Sequence, residues 1–382
     1  MLQPQEFDGE ARAATVAAIG KACVEWGFFA VVNHGVADGV VADFKKEMRN
    51  FFYLPLEEKL KVKRTATNSR GFADDELTKQ RRDWKELFDC GHVPCPDLPA
   101  DHEDNRVLDG YNQWPDEALP TFEPAARNYY EACAGLSALL MSAVAESLGL
   151  ERTFFASDMS PHTSYLRLNY YPPCPDPEPG QLGISRHTDA GALTVLLQDE
   201  VASLQVYSGT KEDNGDGEWV GVPPVKGGFT INIGDMLQVW TNGQYAAPEH
   251  RVRSNPTLER FSAPFFYNPA YHADVQPVGI DEQLDRLLYR PINWGEYRGT
   301  RFVIACQPEC QFNPWRMLPC ADEAIANFLP LGSHATCKGR LRVLVTRIEL
   351  VYRLRLPPVV GFVCGTRAAG GTPKSAEVAA AA

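Results

Sequence analysis

No apolar run reaches the ~18 residues that a membrane-spanning helix needs. Basic charge is not in excess either: the net charge of −12 sets nucleic acid and anionic membrane surfaces aside as main partners. The ten cysteines include no Cys-x-x-Cys pair. Neither a disulfide framework nor a zinc ribbon is indicated, and reduced thiols in a cytoplasmic protein are expected. The opening Met-Leu-Gln-Pro-Gln-Glu-Phe-Asp lacks the basic and apolar segments of a secretory signal. Internal repeats are absent. What is present is an ordinary globular composition, 44% hydrophobic and 23% charged, over 382 residues. That length can bury a large core in one or two domains.

Two textures divide the chain. Alanines at 14, 18 and 22 predict a helix over 9–25, followed by a β-rich run from Trp26 to Gly35. Val41, Phe44, Met48, Phe51 and Phe52 predict a second helix over 38–53, ended at Leu54-Pro55. Residues 60–120 are polar and loop-rich, with ordered islands at Arg70-Gly-Phe72 and at 83–88. A long helix is predicted from Pro120 to Leu150. From about residue 163, short β-type runs recur every 8–12 residues between Pro-Pro-Cys-Pro, Asn-Gly and Gly-Gly turns. They are expected at 165–171, 183–187, 193–197, 204–207, 219–222, 229–233, 236–240, 250–253 and 261–267. The expected fold class is mainly β with flanking helices, a barrel, sandwich or jelly roll behind a helical N-terminal region. Residues 303–382 differ again. They carry a net +4, leaving −16 for the rest, and hold five of the ten cysteines.

The chemistry rests on histidine and carboxylate spacing. His-x-Asp occurs three times, at His102, His187 and His272, where the eight histidines would give about half of one by chance. On an extended chain, residues i and i+2 share a face, so His187 and Asp189 could supply two thirds of a facial triad for non-haem Fe(II). His250, in another β-type run, is the candidate third ligand. Ten residues on, Arg260 and Ser262 are again an i, i+2 pair, suited to clamp a carboxylate inside a dry barrel. His102 and Asp104 lie in a polar loop, His272 and Asp274 follow Asn268-Pro269 with no clamp downstream, and His34 sits in a tight turn. All three are expected to be structural or solvated. Trp84, Phe88 and Trp114 are candidates for either pocket wall or core. Cys306, Cys310, Cys320, His334 and Cys337 match no common zinc spacing.

In this order and spacing, His187-x-Asp189, His250 and Arg260-x-Ser262 resemble the 2-oxoglutarate/Fe(II)-dependent dioxygenases of the isopenicillin N synthase-like family. Asn169-Tyr-Tyr-Pro-Pro-Cys-Pro175, Ile231-Asn-Ile-Gly-Asp235, Trp240-Thr-Asn-Gly243, Trp26-Gly-Phe-Phe29, Asn33-His-Gly35 and Tyr289-Arg-Pro-Ile-Asn-Trp-Gly-Glu296 extend the resemblance over about residues 15–302. It implies a double-stranded β-helix (jelly roll) core behind the N-terminal helices. It implies Fe(II) on His187, Asp189 and His250, and the distal carboxylate of 2-oxoglutarate on Arg260 and Ser262. Tyr171 would hydrogen-bond that carboxylate and Asn169 would orient the cosubstrate. It implies O2-dependent decarboxylation of 2-oxoglutarate to succinate and CO2, coupled to hydroxylation or desaturation of a small molecule of specialised or hormone-like metabolism. Ascorbate is the candidate reductant and a monomer the expected state. The expected division is 1–120, a helical N-terminal region; 121–302, the jelly-roll core with its leading helix; and 303–382, an atypical, partly disordered extension. Two rivals share the motifs: an oxidase whose clamp holds a substrate carboxylate instead of 2-oxoglutarate, and a non-catalytic β-barrel that retains the ligands.

Overall fold

The computed structural model describes residues 9–66, 68–78, 81–91, 110–178, 180–209, 217–278, 287–299 and 347–349. The chain opens with α1 (Gly9–Glu25), β1 (Phe28–Val32), α2 (Asp38–Phe52) and α3 (Leu56–Lys61). Four short strands follow: β2 (Gly71–Ala73), β3 (Leu77–Thr78), β4 (Arg81–Arg82) and β5 (Glu86–Gly91). The long helix α4 (Phe122–Ser147) leads into β6 (Tyr165–Tyr171), β7 (Leu182–His187), β8 (Leu193–Gln198) and β9 (Leu204–Tyr207). Then come β10 (Trp219–Gly221), β11 (Gly228–Ile233), α5 (Asp235–Trp240), β12 (His250–Arg253) and β13 (Arg260–Tyr267). Lastly come β14 (Asp274–Val275), β15 (Ile292–Asn293) and β16 (Arg347–Glu349).

Two sheets make the roll. The major sheet has the order β16-β1-β11-β8-β13-β6-β5-β2, and the minor sheet β10-β9-β12-β7. Strands from both sides of residue 120 therefore share the major sheet.

The central strands are buried on both faces, and their two-residue period sorts the side chains. Leu193, Val195 and Leu197 of β8, Phe229, Ile231 and Ile233 of β11, and Phe261, Ala263 and Phe265 of β13 point to one side. There they pack with the helices in one large core. α4 contributes Tyr129, Cys133, Leu140 and Val144 to it, and Phe44 of α2 stacks on Tyr129 with ring centres 3.9 Å apart. Arg12 of α1 grips Glu146 of α4 through two hydrogen bonds of 2.6 and 2.8 Å. The alternate residues face the other way, into the roll. There Phe28, Tyr171, Leu196, Val206 and Val252 form a smaller apolar cluster between the sheets. Burial pushes the thiols of Cys23, Cys90 and Cys133 up to about 12. They and Cys174 are unpaired thiols, as expected from their spacing.

One expectation is corrected. The run 236–240, read as a strand, belongs to α5. Five of the six residues of α5 are buried, so the run shows no readable period, and tertiary contacts decide. The N–H groups of Asp235 and Met236, unsatisfied within the helix itself, donate to the carbonyls of Asp189 and Gly191 at 2.8 and 3.1 Å. The charged residues after Pro55 form the helix α3. In the tail, Arg347–Glu349 pairs parallel with β1. The rest of the 303–382 extension, including the possible zinc set and the small-residue stretch from Gly365, lies outside the described residues, as does His102-x-Asp104.

Candidate active site

The site forms where the minor sheet presents two histidines side by side. His187 ends β7, His250 opens β12, and the two are direct partners in the antiparallel ladder. Their ring centres are 4.3 Å apart. Gly27 makes room behind them. Its φ is +63°, and a Cβ there would sit 2.6 Å from the carbonyl oxygen of Ala246, so only glycine fits. This close approach brings Phe28 edge-on to the His250 ring at 5.6 Å.

Asp189 follows β7 in the loop pinned by α5. Its Oδ1 is 3.7 Å from His187 Nε2 and 3.6 Å from His250 Nε2. These three residues are the metal-capable cluster among the described residues, with donor atoms all within 4.8 Å of one another. Each is oriented by a second hydrogen bond. His187 Nδ1 lies 2.8 Å from the Ser185 carbonyl, and His250 Nδ1 lies 3.1 Å from that of Pro248. Backbone carbonyls only accept, so Nδ1 carries the proton and each Nε2 lone pair faces the cluster. Asp189 Oδ2 accepts from Thr194 Oγ1 at 2.6 Å and Asn232 Nδ2 at 2.7 Å, leaving Oδ1 toward the histidines.

Charge follows the same design. Burial, reinforced by neighbouring His250, pushes the His187 imidazole down, so it stays neutral. Burial alone would raise the Asp189 carboxyl. The two imidazoles, Asn232 and Thr194 outweigh it and hold the group below its ordinary value, ionised. Two imidazoles and one carboxylate on one side of a point are the donor set of a facial-triad Fe(II) site, and the residues fit that ion.

Four residues further along β8 lies the clamp. Arg260 opens β13 directly opposite Tyr171, and Ser262 opposite Asn169. Arg260 is 1% exposed, yet among the described residues its hydrogen-bond partners are neutral, the Asp199 carboxylate acting on it only through space. Nη1 donates to Ser262 Oγ at 3.2 Å and Nη2 to Gln198 Oε1 at 3.1 Å. Its Nε and the nearby Asn169 Oδ1 are buried without a hydrogen-bond partner. The Tyr171 ring lies 5.0 Å from the guanidinium carbon. A buried guanidinium with only neutral partners and an unused N–H fits a carboxylate ligand.

The structure thus brings together all seven residues singled out in the sequence: His187, Asp189 and His250 at one level of the roll, Arg260, Ser262, Asn169 and Tyr171 at another. Thr194, Asn232 and Gln198 were missed. Each is a polar residue within an apolar strand, Leu-Thr-Val-Leu-Leu-Gln or Phe-Thr-Ile-Asn-Ile, on the inward parity. That alternation was the signal available. His34 and His272 behave as expected. His34 accepts from the Val36 N–H and packs on Phe229, while His272 and Asp274 are exposed. Phe88 and Trp114 pack in the large core, and Trp84 Nε1 donates to the Pro172 carbonyl at 3.1 Å.

Known proteins carry the same architecture. The sequence model of the 2OG-Fe(II) oxygenase superfamily matches residues 162–269. That of the non-haem dioxygenase in morphine synthesis N-terminal region matches residues 2–117. Gibberellin 2-beta-dioxygenase 8 of Arabidopsis thaliana is 34% identical over 282 residues, 74% of this chain and 74% of its own length. A full-length Neurospora crassa protein, solved with alpha-KG and 5-formyluracil, superposes with a TM-score of 0.67 at 26% identity, covering 78% of this chain and 92% of that one. JOX2, solved with 2OG, Fe and JA, superposes at 0.64 with 30% identity, over 78% of this chain and 84% of that one. No described helix is long and apolar enough to cross a membrane. The chain belongs to the 2OG-Fe(II) oxygenase superfamily: it is an Fe(II)- and 2-oxoglutarate-dependent dioxygenase.

Proposed function

We propose that His187, Asp189 and His250 hold the Fe(II) ion, and that Arg260 and Ser262 receive the distal carboxylate of 2-oxoglutarate. The observation carrying this is the pairing of two unlike donor sets on one inward surface: three metal donors with outward-tied second atoms, and a buried arginine with neutral hydrogen-bond partners and an unused Nε. Bound Fe(II) supplies the oxygen activation that couples decarboxylation of 2-oxoglutarate to oxidation of the substrate. The residues of this chain supply position. Ser185 and Pro248 fix the imidazole planes, Thr194 and Asn232 fix the carboxylate, and Gln198 fixes the guanidinium. Asn169 and Tyr171 flank the cosubstrate from β6, with the Tyr171 hydroxyl as a donor to the distal carboxylate. The apolar cluster around Leu196 and Val206 keeps bulk water from the cosubstrate.

The substrate in this reading is a small organic molecule of specialised or hormone-like metabolism, hydroxylated or desaturated in the cytoplasm by a monomeric enzyme. Support comes from the relatives' printed names, which include gibberellin, and from the thymine bound by the Neurospora crassa protein and the JA bound by JOX2. We retain the division into 1–120, 121–302 and 303–382, with the first part adding β1, β2 and β5 to the sheet of the second.

Anaerobic titration of the purified protein with Fe(II) and then 2-oxoglutarate tests the site. A visible charge-transfer band from the chelated 2-oxo acid is expected. It disappears in His187→Ala, and in Arg260→Ala it needs roughly 100-fold more 2-oxoglutarate, the loss of charge-assisted bonds worth about 3 kcal/mol. Iron binding with no band in the parent protein would instead mark an oxidase that uses its substrate's own carboxylate.

A further inference from the structure

The two histidines of the site are not held equally by their sheet. β12, which carries His250, pairs with β9 on one side and β7 on the other. β7, which carries His187, is the edge strand of the minor sheet among the described residues. Its pairing with β12 is also irregular. His187 stands opposite His250 and Ile184 opposite Val252. Ser185 and Arg186 therefore span a step that Arg251 alone spans on β12, which is a β-bulge. A second slip follows at Gly183, between the pairs Ile184–Val252 and Leu182–Arg253. A bulge bends its strand and re-aims the side chains beside it, here a metal-capable histidine.

A distant dipeptide braces that edge. Asp83 and Trp84 lie between β4 and β5, about a hundred residues earlier in the chain. The Trp84 N–H donates to the Leu182 carbonyl at 3.0 Å, and the Ser185 N–H donates to Asp83 Oδ1 at 3.3 Å. The bulge is thus gripped on both sides of Gly183. The brace is itself anchored. Trp84 Nε1 donates to the Pro172 carbonyl, and Asp83 Oδ2 accepts from Thr78 Oγ1 at 2.7 Å and lies 3.2 Å from Lys85 Nζ. Asp83 is buried, so these bonds are shielded from water. Both polar backbone groups of Ser185 are then taken by side chains: the N–H by Asp83, and the carbonyl by His187 Nδ1 at 2.8 Å.

We propose that Asp83 is a positioning residue for the iron site: by holding the bulge at Ser185, it fixes the direction and the Nδ1–H tautomer of His187. This rests on the reading of the metal ligands given above and adds a residue from outside the roll to that site. Only the two soft dihedrals of Ser185 separate its N–H from its carbonyl, so tying the first restricts the second. A fixed carbonyl keeps the proton on His187 Nδ1 and the Nε2 lone pair toward the metal. Without it, Nε2 takes the proton part of the time, and the metal must displace that form to bind. His250 needs no such brace, because its strand is paired on both sides and its own acceptor is the Pro248 carbonyl.

Asp83→Ala by itself would remove a carboxylate from beside the buried Lys85 ammonium, so the test takes Lys85→Met as its reference protein. Asp83→Ala and Asp83→Asn are made in that background. Asparagine can accept from the Ser185 N–H while donating to the Thr78 hydroxyl; alanine can do neither. Nitrogen-15 NMR of the metal-free proteins reads the tautomers of His187 and His250, and anaerobic titration reads the affinity for Fe(II) alone. With alanine, His187 is expected to lose its pure Nδ1–H form while His250 keeps it, and Fe(II) binds about tenfold more weakly. Asparagine restores both. If Lys85→Met does not fold, the same pair of substitutions in the parent protein carries the same expectations. An unchanged His187 tautomer or an unchanged Fe(II) affinity in the alanine variant overturns the proposal. So does a change at His250 equal to that at His187, which would mark a general loosening of the sheet, or an asparagine variant no better than alanine. Fe(II) held as tightly by His187→Ala as by the parent would count against the metal reading instead, and the tautomers would still decide what Asp83 does to His187.

Discussion

Two arginines, Arg167 half-buried and Arg260 fully buried, stand on neighbouring strands of the same sheet, both facing into the roll. Arg167, on β6, gives two hydrogen bonds of 2.8 and 2.7 Å to Asp89 and a third of 2.9 Å to Glu76. Arg260, on β13, has a serine, a glutamine and an unused Nε. The first is one member of a network that also takes in Lys85, whose Nζ lies 2.6 Å from Glu76 and 3.2 Å from Asp83. Asp83 in turn accepts from the Ser185 N–H, two residues before His187. The difference separates structure from function. A buried cation with carboxylate partners is part of the framework. One left with neutral partners is incomplete until a ligand brings the anion.

The sharpest way to break this contrast is to measure stability. Asp89→Asn leaves the Arg167 charge buried with half its anionic support removed, and is expected to cost about 3–5 kcal/mol. Arg260→Ala removes a charge that no carboxylate hydrogen-bonds and that acts on Asp199 only through space, so its cost should be smaller. Thermal or urea unfolding of the metal-free proteins gives both values. Equal losses would mean that Arg260 is as structural as Arg167. Adding 2-oxoglutarate with the metal should then raise the midpoint of the parent protein far more than that of Arg260→Ala, since only ligand bound to the native state stabilises it.

A second effect, smaller, appears on acidification. Burial alone would raise the Glu76 carboxyl, but Arg167, Lys85 and Arg64 overwhelm it and hold the group well below the usual carboxylate range. Because the folded value lies below the unfolded one, about 4.3, the unfolded chain takes up this proton first as pH falls. Glu76 therefore contributes stability that is fully present above the unfolded value and is lost as pH drops below it. Stability measured from about pH 6 down to about pH 3 should fall less steeply in Glu76→Gln than in the parent. A parallel slope in the two proteins would show that Glu76 is not what the acid limit reads.

These contrasts also show what the sequence made legible. His187, Asp189, His250, Arg260 and Ser262 could be read because each function needs residue types rare enough to stand out: imidazoles, and an arginine opening an apolar strand. The strands from β6 to β13 were legible because turn residues punctuate them at short intervals. Gln198, Thr194 and Asn232 were not, because a single polar residue in a buried strand has no local signature until its neighbours across the ladder are known. The Arg167 network was hidden for the same reason. Glu76, Lys85 and Asp89 lie in the polar stretch 60–120, where charged residues look solvated, and only pairing between β5 and β6 buries them. α5 was mistaken because its first turn is capped by carbonyls from a loop more than forty residues away.

The finest test converts one arginine's environment toward the other's. Gln198 donates through Nε2 to Thr230 Oγ1 at 3.0 Å and accepts from Arg260 through Oε1. Its amide thereby holds the guanidinium without neutralising it. Gln198→Glu keeps the shape and hands Arg260 an internal carboxylate, the situation of Arg167. The new carboxylate competes with the distal carboxylate of 2-oxoglutarate for the same N–H groups, so affinity for the cosubstrate should fall about tenfold, a change of ~1.4 kcal/mol. Fe(II) affinity should not change, because His187, Asp189 and His250 keep all their partners. The discriminating control is Gln198→Leu, which removes the orienting bond without adding charge and should weaken 2-oxoglutarate less than the glutamate does. If leucine is as damaging as glutamate, Gln198 acts only by positioning. If glutamate alone is damaging, the neutrality of the Arg260 environment is itself the property that makes it a binding site.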